Sequence, residues 1–327
     1  MDYRTLCILG GTGFVGRHLT ARLVDAGYHV KILTRDPSRH RDLLVLPTVK
    51  LVRADVHDPA TLKREFEAVG AVINLVGILN ERGHNGAGFE HVHVELTRKV
   101  LDACRETHVP RLLQMSALGA NPASASHYQR TRGEAAQLLP LTADGVPATT
   151  VFEPSVIFGP QDTFINRFVR LLKLSPGILF LPCPDARLAP VYVGDVAEAF
   201  VRSLTRRDTV GERFALYGPD TYTMREIVKY TARMIGVHRA VIGLPDWASR
   251  LMANILEYAP GKPFSRDNYL SFKAGGVDAE SGLAALGIEP ASLEAEIPNY
   301  LAADNQRGRY NHYRAVAGRF KESPPEQ

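Results

Sequence analysis

Short apolar runs alternate with helical patterns through the first half of the chain, and no other feature constrains the fold as much. "TLCILG", from residue 5, reads as a strand, and "VGRHLTARLVDAG" follows as a helix that ends at Gly27. "HVKILTR" is the second strand, "VKLVRADV" the third and "AVINLVG" the fourth. "PATLKREFEAV" joins the third and fourth as a helix with Pro59 near its start, where a missing N–H costs nothing. "FEHVHVELTRKVLDACRETH" predicts one long helix and "RLLQMSA" the fifth strand. Strand–helix units in series need crossover connections, so the strands run parallel and both faces of the sheet are covered. The expectation is an α/β fold: a doubly wound (Rossmann) parallel sheet with a smaller C-terminal α/β lobe.

After residue 150 the rhythm loosens. "ATTVFEPSVIFGP" predicts a sixth strand with its exit loop, and "LAPVYVGDVAEAFVRSL" a strand, a turn and a helix. Residues 1–157 and about 188–217 are therefore expected to form the nucleotide-binding domain, and 158–187 with 218–305 the smaller lobe. Residues 306–327, ending in "KESPPEQ", read as a disordered tail. A chain of 327 residues with 45% hydrophobic content can bury a core of that extent. Its net charge of +4 fits anionic ligands or an anionic surface and makes no case for nucleic acid. No apolar run reaches the roughly 18 residues of a spanning helix, so no transmembrane segment is expected. Asp2 and Arg4 lead straight into the first strand, so no signal or transit peptide is expected either. Cys7, Cys104 and Cys183 stand singly, without disulfide or zinc spacing, which points to a reducing, cytoplasmic compartment.

Between the first strand and first helix stands "GGTGFVG", with Gly10, Gly13 and Gly16 three apart. Glycines there let the backbone turn tightly and approach a ligand closely. The helix start adds unpaired N–H groups and the positive end of a dipole, which together hold a pyrophosphate. The spacing is Gly-x-x-Gly-x-x-Gly rather than the commoner Gly-x-Gly-x-x-Gly. Close strand–helix packing gives the same triplet. The strand before, the helix after and the second strand at the expected distance favour a nucleotide, held by Gly10, Thr12, Gly13, Phe14, Val15 and Gly16. The second strand ends at Arg35, followed by Asp36. An arginine there fits a ribose 2′-phosphate, whereas an acid fits free ribose hydroxyls. NADP(H) is favoured, and Asp36 keeps NAD(H) open. Asp55 and Val56 are expected beside the adenine; Leu75, Val76 and Gly77 are expected to flank the ribose.

Taken together, "LGGTGFVG", "RADVHD", "MSALGA", "EPSVIFGP" and "PVYVGDVAEA" resemble the atypical, extended branch of the short-chain dehydrogenase/reductase superfamily. Within it the chain is similar to the subgroup that holds the nucleotide-binding accessory subunit of respiratory complex I and its bacterial relatives. The resemblance covers residues 5 to about 230. It implies a site of serine plus Tyr-x-x-x-Lys: the tyrosine moves the proton that accompanies hydride transfer, the lysine lowers its pKa and bonds the ribose, and the serine polarises the substrate oxygen. Ser116 matches the serine and Tyr128 the tyrosine, but Arg132 stands where the lysine belongs. Four residues apart on a helix, Tyr128 and Arg132 share a face. An arginine favours a tyrosinate by charge, yet its fork does not replace an ammonium at a tight site. Two readings stay open. Ser116, Tyr128 and Arg132 are catalytic, in a reductase, epimerase or dehydratase acting on a quinone-like or nucleotide-linked substrate. Alternatively, Tyr128 and Arg132 only bind the cofactor, in an accessory, assembly or redox-sensing protein with tightly held nucleotide. Pro154 faces the nicotinamide end in the family. The complex I likeness also implies a peripheral position on the inner membrane face as an alternative to free cytoplasm.

Four further features carry weaker expectations. His84, His91 and His93 cluster in sequence, but His91 and His93 point to different helix faces, so no metal site is expected. "LNERGHNGAG" reads as a lid or an ordinary mobile loop beside the cofactor. Asp195 is expected to cap a helix and tie the small lobe to the sheet. Trp247, Leu251, Ile255 and Tyr258 lie at helical spacing, either packed on the lobe's own core or forming a patch for a protein partner or a membrane surface.

Overall fold

Seven parallel strands form the central sheet: β1 (Thr5–Leu9), β2 (His29–Thr34), β3 (Val49–Arg53), β4 (Ala71–Asn74), β5 (Arg111–Met115), β6 (Ala148–Pro154) and β7 (Arg213–Leu216). Their spatial order is β7-β6-β5-β4-β1-β2-β3, the doubly wound order with its switch point between β1 and β4. The structure, a computed structural model, describes residues 4–140, 147–274 and 281–301. The expected tail at 306–327 lies outside the described residues.

Side chains alternate along β1 and build two cores at once. Leu6 and Ile8 join Leu19 and Leu23 of α1 (Phe14–Asp25) on one face. Cys7 and Leu9 join Leu62 and Phe66 of α2 (Pro59–Phe66) and Val100 and Leu101 of α3 (Leu96–Glu106) on the other. Burial pushes the Cys7 thiol up to about 12, so it behaves as a small apolar group. Helix α4 (His127–Gln137) precedes β6; α5 (Ile165–Leu174) and α6 (Val193–Thr205) follow it. Phe200 of α6 packs on Phe152 of β6, with ring centroids 4.1 Å apart.

The second lobe pairs Ile178–Leu181 with Ala240–Gly243 in parallel, under α5 and α7 (Met224–Met234). Helices α8 (Asp246–Leu256) and α9 (Arg266–Ala274) pack on each other through Ala253, Phe264 and Tyr269.

Several details depart from expectation. The expected long helix forms without a break from Ala87 to Glu106, but its first half is a π segment, Glu90–Glu95, leading into α3. The wide turn carries His93 inward while His91 stays outside, paired with Glu95. Strand β7 was not expected: "RFAL" is four residues long and takes its position from pairing with β6. Asp195 does not cap its helix; the N-cap is Tyr192, and no side chain caps there. Asp195 instead accepts the Ala291 N–H at 2.8 Å and so ties the later chain to the sheet. Leu283, Leu286 and Ile288, assigned to the smaller lobe on sequence, pack into the sheet's core with Leu216.

Candidate functional site

The crevice at the switch point is walled by glycine. Gly10 turns with φ +79°, and a side chain there would stand 3.1 Å from the backbone of Leu75 and Val76 at the end of β4. Gly16 lies against the loop itself: a Cβ would collide with the Gly10 carbonyl and the Gly11 backbone. Gly13 is different. Its φ of −77° suits any residue, and a Cβ there meets only the Gly10 carbonyl, at 3.3 Å. Its need for glycine therefore lies in the space in front of it, not in its backbone angle. Gly13 is the N-cap of α1 and no side chain caps it. The first amides of the helix, those of Phe14, Val15 and Gly16, are the orphan donors of an uncapped helix start. Thr12 gives its carbonyl to Arg17 Nε at 3.1 Å, and that arginine is paired onward with Asp42. The cradle thus offers donors, a dipole and room, which fits a pyrophosphate.

At the tip of β2, Asp36 is already committed. Its carboxylate accepts from the Ser38 amide and hydroxyl and pairs with Arg39 at 3.1 Å. The Ser38 hydroxyl, ahead of the arginines, holds it below the usual carboxylate range. Arg35 stands exposed beside it, and Arg53 of β3 donates to the Arg35 carbonyl. Asp55 spends one oxygen on the His57 amide, with Val56 between them.

At the other end of the crevice, Ser116 is buried beyond β5, and its hydroxyl reaches the Arg132 carbonyl at 3.4 Å. Pro154 closes β6 and accepts the Leu118 N–H. Arg132 is 6% exposed. Its Nη1 donates to the Met115 carbonyl at 2.9 Å and reaches the Val76 carbonyl at 3.5 Å, so it bridges the ends of β5 and β4. Its guanidinium also fills the space that a Gly77 side chain would need. Among the described residues no carboxylate pairs with it, and its Nε has no partner. The guanidinium lies 5.7 Å from the centre of the Tyr128 ring, which sits edge-on to Phe89 and His93.

His93 supports this corner from below. The Ile78 N–H donates to its Nε2 at 3.3 Å, which leaves the proton on Nδ1. Nδ1 then donates to Thr131 Oγ1 at 2.9 Å, and Thr131 donates to the His127 carbonyl. Burial, with Arg132's charge second, pushes the imidazole down to about 2, so it stays neutral.

Residues 6–216 match the NAD dependent epimerase/dehydratase family. The chain belongs to that family. It is 27% identical over 315 residues to the mitochondrial NADH-ubiquinone oxidoreductase 40 kDa subunit of Neurospora crassa, covering 94% of this chain and 81% of that one. It is 29% identical over 245 residues to the ceramide reductase of Caulobacter vibrioides, covering 74% of each. In fold it is similar to UDP-glucose 4-epimerase of Thermotoga maritima, with a TM-score of 0.70 at 18% identity over 93% of this chain and 99% of that one.

This family member joins its two lobes beside Tyr128. Asp267 of α9 accepts from the amides of His127 and Tyr128 and from Ser126 Oγ, so the second lobe caps the helix that carries the tyrosine. The loop "LNERGHNGAG" is organised by buried Glu81, whose two oxygens accept from Gly86 at 2.7 Å and Gly88 at 2.8 Å. His84 pairs with Glu257 at 3.0 Å, and Lys262 donates to the Gly83 carbonyl. A cavity of about 230 Å³ lies at this junction, lined by His84, Phe89, His127, Glu257 and Asp267 among others. His84, His91 and His93 do not meet: each has a separate set of partners. Sequence reasoning missed Glu81 and Asp267. An acid just ahead of a glycine-rich loop is a usable signal for the first. Nothing in "SRDN" tells which helix the second will cap.

No helix among the described residues is long and apolar enough to cross a membrane.

Proposed function

We propose that the chain holds NADP(H) tightly at the β1–β4 crevice and that the nucleotide serves structure or redox sensing rather than turnover. The observation that carries this reading is the state of Arg132. It occupies the position of the catalytic lysine, and its hydrogen bonds go to the Met115 and Val76 carbonyls. It therefore fastens the strand ends together, while Ser116 faces the Arg132 carbonyl. Gly10, Thr12, Gly13, Phe14, Val15 and Gly16 bind the pyrophosphate in this reading, Asp55 and Val56 the adenine, and Leu75, Val76, Gly77, Tyr128, Arg132 and Pro154 the nicotinamide half. NADP(H) is preferred over NAD(H) because Asp36 is spent on Ser38 and Arg39 while Arg35 stands exposed at the tip of β2. When bound, the nucleotide supplies a redox-active ring.

The likeness to a respiratory-complex subunit supports an accessory or assembly role, in which the second lobe meets the partner from a peripheral position. The alternative is an active reductase, epimerase or dehydratase, favoured by the presence of Ser116 and Tyr128 and by the likeness to a ceramide reductase. Retention separates the two. A structural nucleotide survives gel filtration, and at about a hundred times its dissociation constant it stabilises the fold by roughly 2.7 kcal/mol. Tyr128→Phe then changes neither retention nor melting. Steady NADPH oxidation with quinones, sugar nucleotides or carbonyls overturns this reading if Tyr128→Phe lowers it by about 10²–10⁴.

A further inference from the structure

Among the described residues, the second lobe leaves two apolar surfaces uncovered, one after the other in the chain. The first is the outer face of its two-stranded sheet, where Phe180 stands opposite Ile242 and Ile178 lies one pleat away. All three are exposed, whereas Leu179 and Leu181 between them are buried. The second begins three residues beyond that sheet. Along α8 and its last turn, Trp247, Leu251, Ile255 and Tyr258 are between 51% and 75% exposed. Their spacing of four, four and three puts them on one stripe. Leu174, at the end of α5, is 81% exposed as well. Soluble chains scatter single apolar residues over their surface, but a set this large marks a contact.

Charge decides what the contact is with. Residues 165–185 and 238–274 contain eight Lys and Arg against four Asp and Glu, so they account for the whole +4 of the chain. Two of the four acids and one of the bases face inward: Glu257 pairs with His84, Asp267 caps α4, and Lys262 donates to the Gly83 carbonyl. A groove of about 690 Å³ beside Ala240 and Val241 is lined by Arg239 and His238 and adds Lys229 and Arg233. Its one acid, Glu226, is engaged in the capping box of α7. A second copy would place the same positive face against itself, because a two-fold interface is self-matching. An anionic bilayer complements it. Apolar stripes bearing Trp and Tyr, flanked by Lys and Arg, are the signature of a helix lying in a headgroup layer.

We infer that the second lobe docks on an anionic bilayer through this face, with the α8 stripe seated among the headgroups. The inference rests on the reading of this lobe as the docking unit and is independent of whether the nucleotide turns over.

Trp247 is the chain's only tryptophan, so the native protein carries its own probe. With vesicles rich in phosphatidylglycerol its emission shifts to the blue, brominated acyl chains quench it, and the protein floats with the lipid. Salt at about 0.5 M weakens all three, because the Debye length shrinks. Leu251→Glu with Ile255→Glu, both on the exposed stripe, lowers the partition coefficient at least roughly tenfold. NADPH retention, read in the same samples, tests the nucleotide reading separately: a chain that floats without holding NADPH keeps this inference and loses that one. Absence of flotation and blue shift on anionic vesicles overturns the inference. So does a blue shift that grows with protein concentration without lipid, which assigns the face to a second copy. Binding to native membrane fragments but not to protein-free vesicles of the same lipids assigns it to a protein partner and also overturns it.

Discussion

At the glycine loop, space for a ligand is made by leaving side chains out; around Arg132, side chains and strand ends already fill it. The loop shows uncapped helical amides and a committed Asp36 beside an exposed Arg35. Beside the ends of β4 and β5 the opposite holds: His93 bonds Thr131, and Arg132 Nη1 bonds the backbone, although its Nε has no partner among the described residues. One end of the crevice is organised toward something absent from the chain, and the other toward the chain itself. In the function proposed above, the binding half of the site is kept while the chemical half serves as a brace.

The comparison is broken most directly at the loop. Gly16→Val drives a side chain into the Gly10 carbonyl, and overpacking of this kind costs about 3 kcal/mol or more where backbone must move. Both melting temperature and NADPH binding should fall. Gly13→Val is the matched control. Its backbone angle accepts valine and the Cβ meets only the Gly10 carbonyl, at 3.3 Å, so the melting temperature of the nucleotide-free protein should fall far less than in Gly16→Val while NADPH affinity drops at least a hundredfold, about 2.7 kcal/mol. Normal NADPH binding by Gly13→Val would show that the loop is a packing device.

Next comes the tip of β2. Arg35→Ala should weaken NADPH by about 1.5–3 kcal/mol, the scale of a charge-assisted hydrogen bond, and leave NADH unchanged. Equal losses in titrations of the two nucleotides would mean that Arg35 does not read the 2′-phosphate.

The braced end should register in pH. His93 is held at about 2 in the folded state against an ordinary 6.5, so the unfolded chain takes up the proton first as pH falls. Its contribution is complete above pH 6.5 and is lost progressively below it, by about 2 kcal/mol on reaching pH 5. Denaturant titrations of the wild type and His93→Gln should diverge in slope over that window; parallel slopes would mean the imidazole is not held neutral. The smallest effect expected is at the lobe junction. Asp267→Ala removes a helix cap and should cost about 1 kcal/mol by denaturant unfolding, with NADPH affinity unaffected.

Much of this could be read before any coordinates. Alternating runs located β1 to β6 because all but the edge strand β3 bury an apolar stretch in a two-sided sheet, and that signal is local. The glycine loop was legible for the same reason: strand, turn and helix lie within one stretch. Strand β7 was not, since four residues of "RFAL" become a strand only through β6. The π turn was hidden because its cause, a ring bonded to Ile78 and Thr131, lies across the fold. Gly10 turns while Gly13 merely makes room, and a glycine triplet does not tell which member does which. Arg132 was visible as a departure from lysine, but its bonds to two strand ends could be seen only once those ends were side by side.

The junction at loop 79–88 has a thermodynamic consequence. Leu79 and Asn80 bond Asn268 and Lys262, Gly83 bonds Lys262, and His84 sits between Glu257 and the Tyr258 ring, whose centroid is 4.8 Å away. Tyr258 ends the exposed stripe of the second lobe, and His84 lines the cavity next to the Tyr128 helix. The loop therefore takes its position from the same turn of chain that the apolar stripe occupies. Any energetic linkage between ligands on either side of such a shared element is reciprocal. Whatever factor contact at the stripe imposes on affinity at the crevice, filling the crevice must impose the same factor on contact at the stripe.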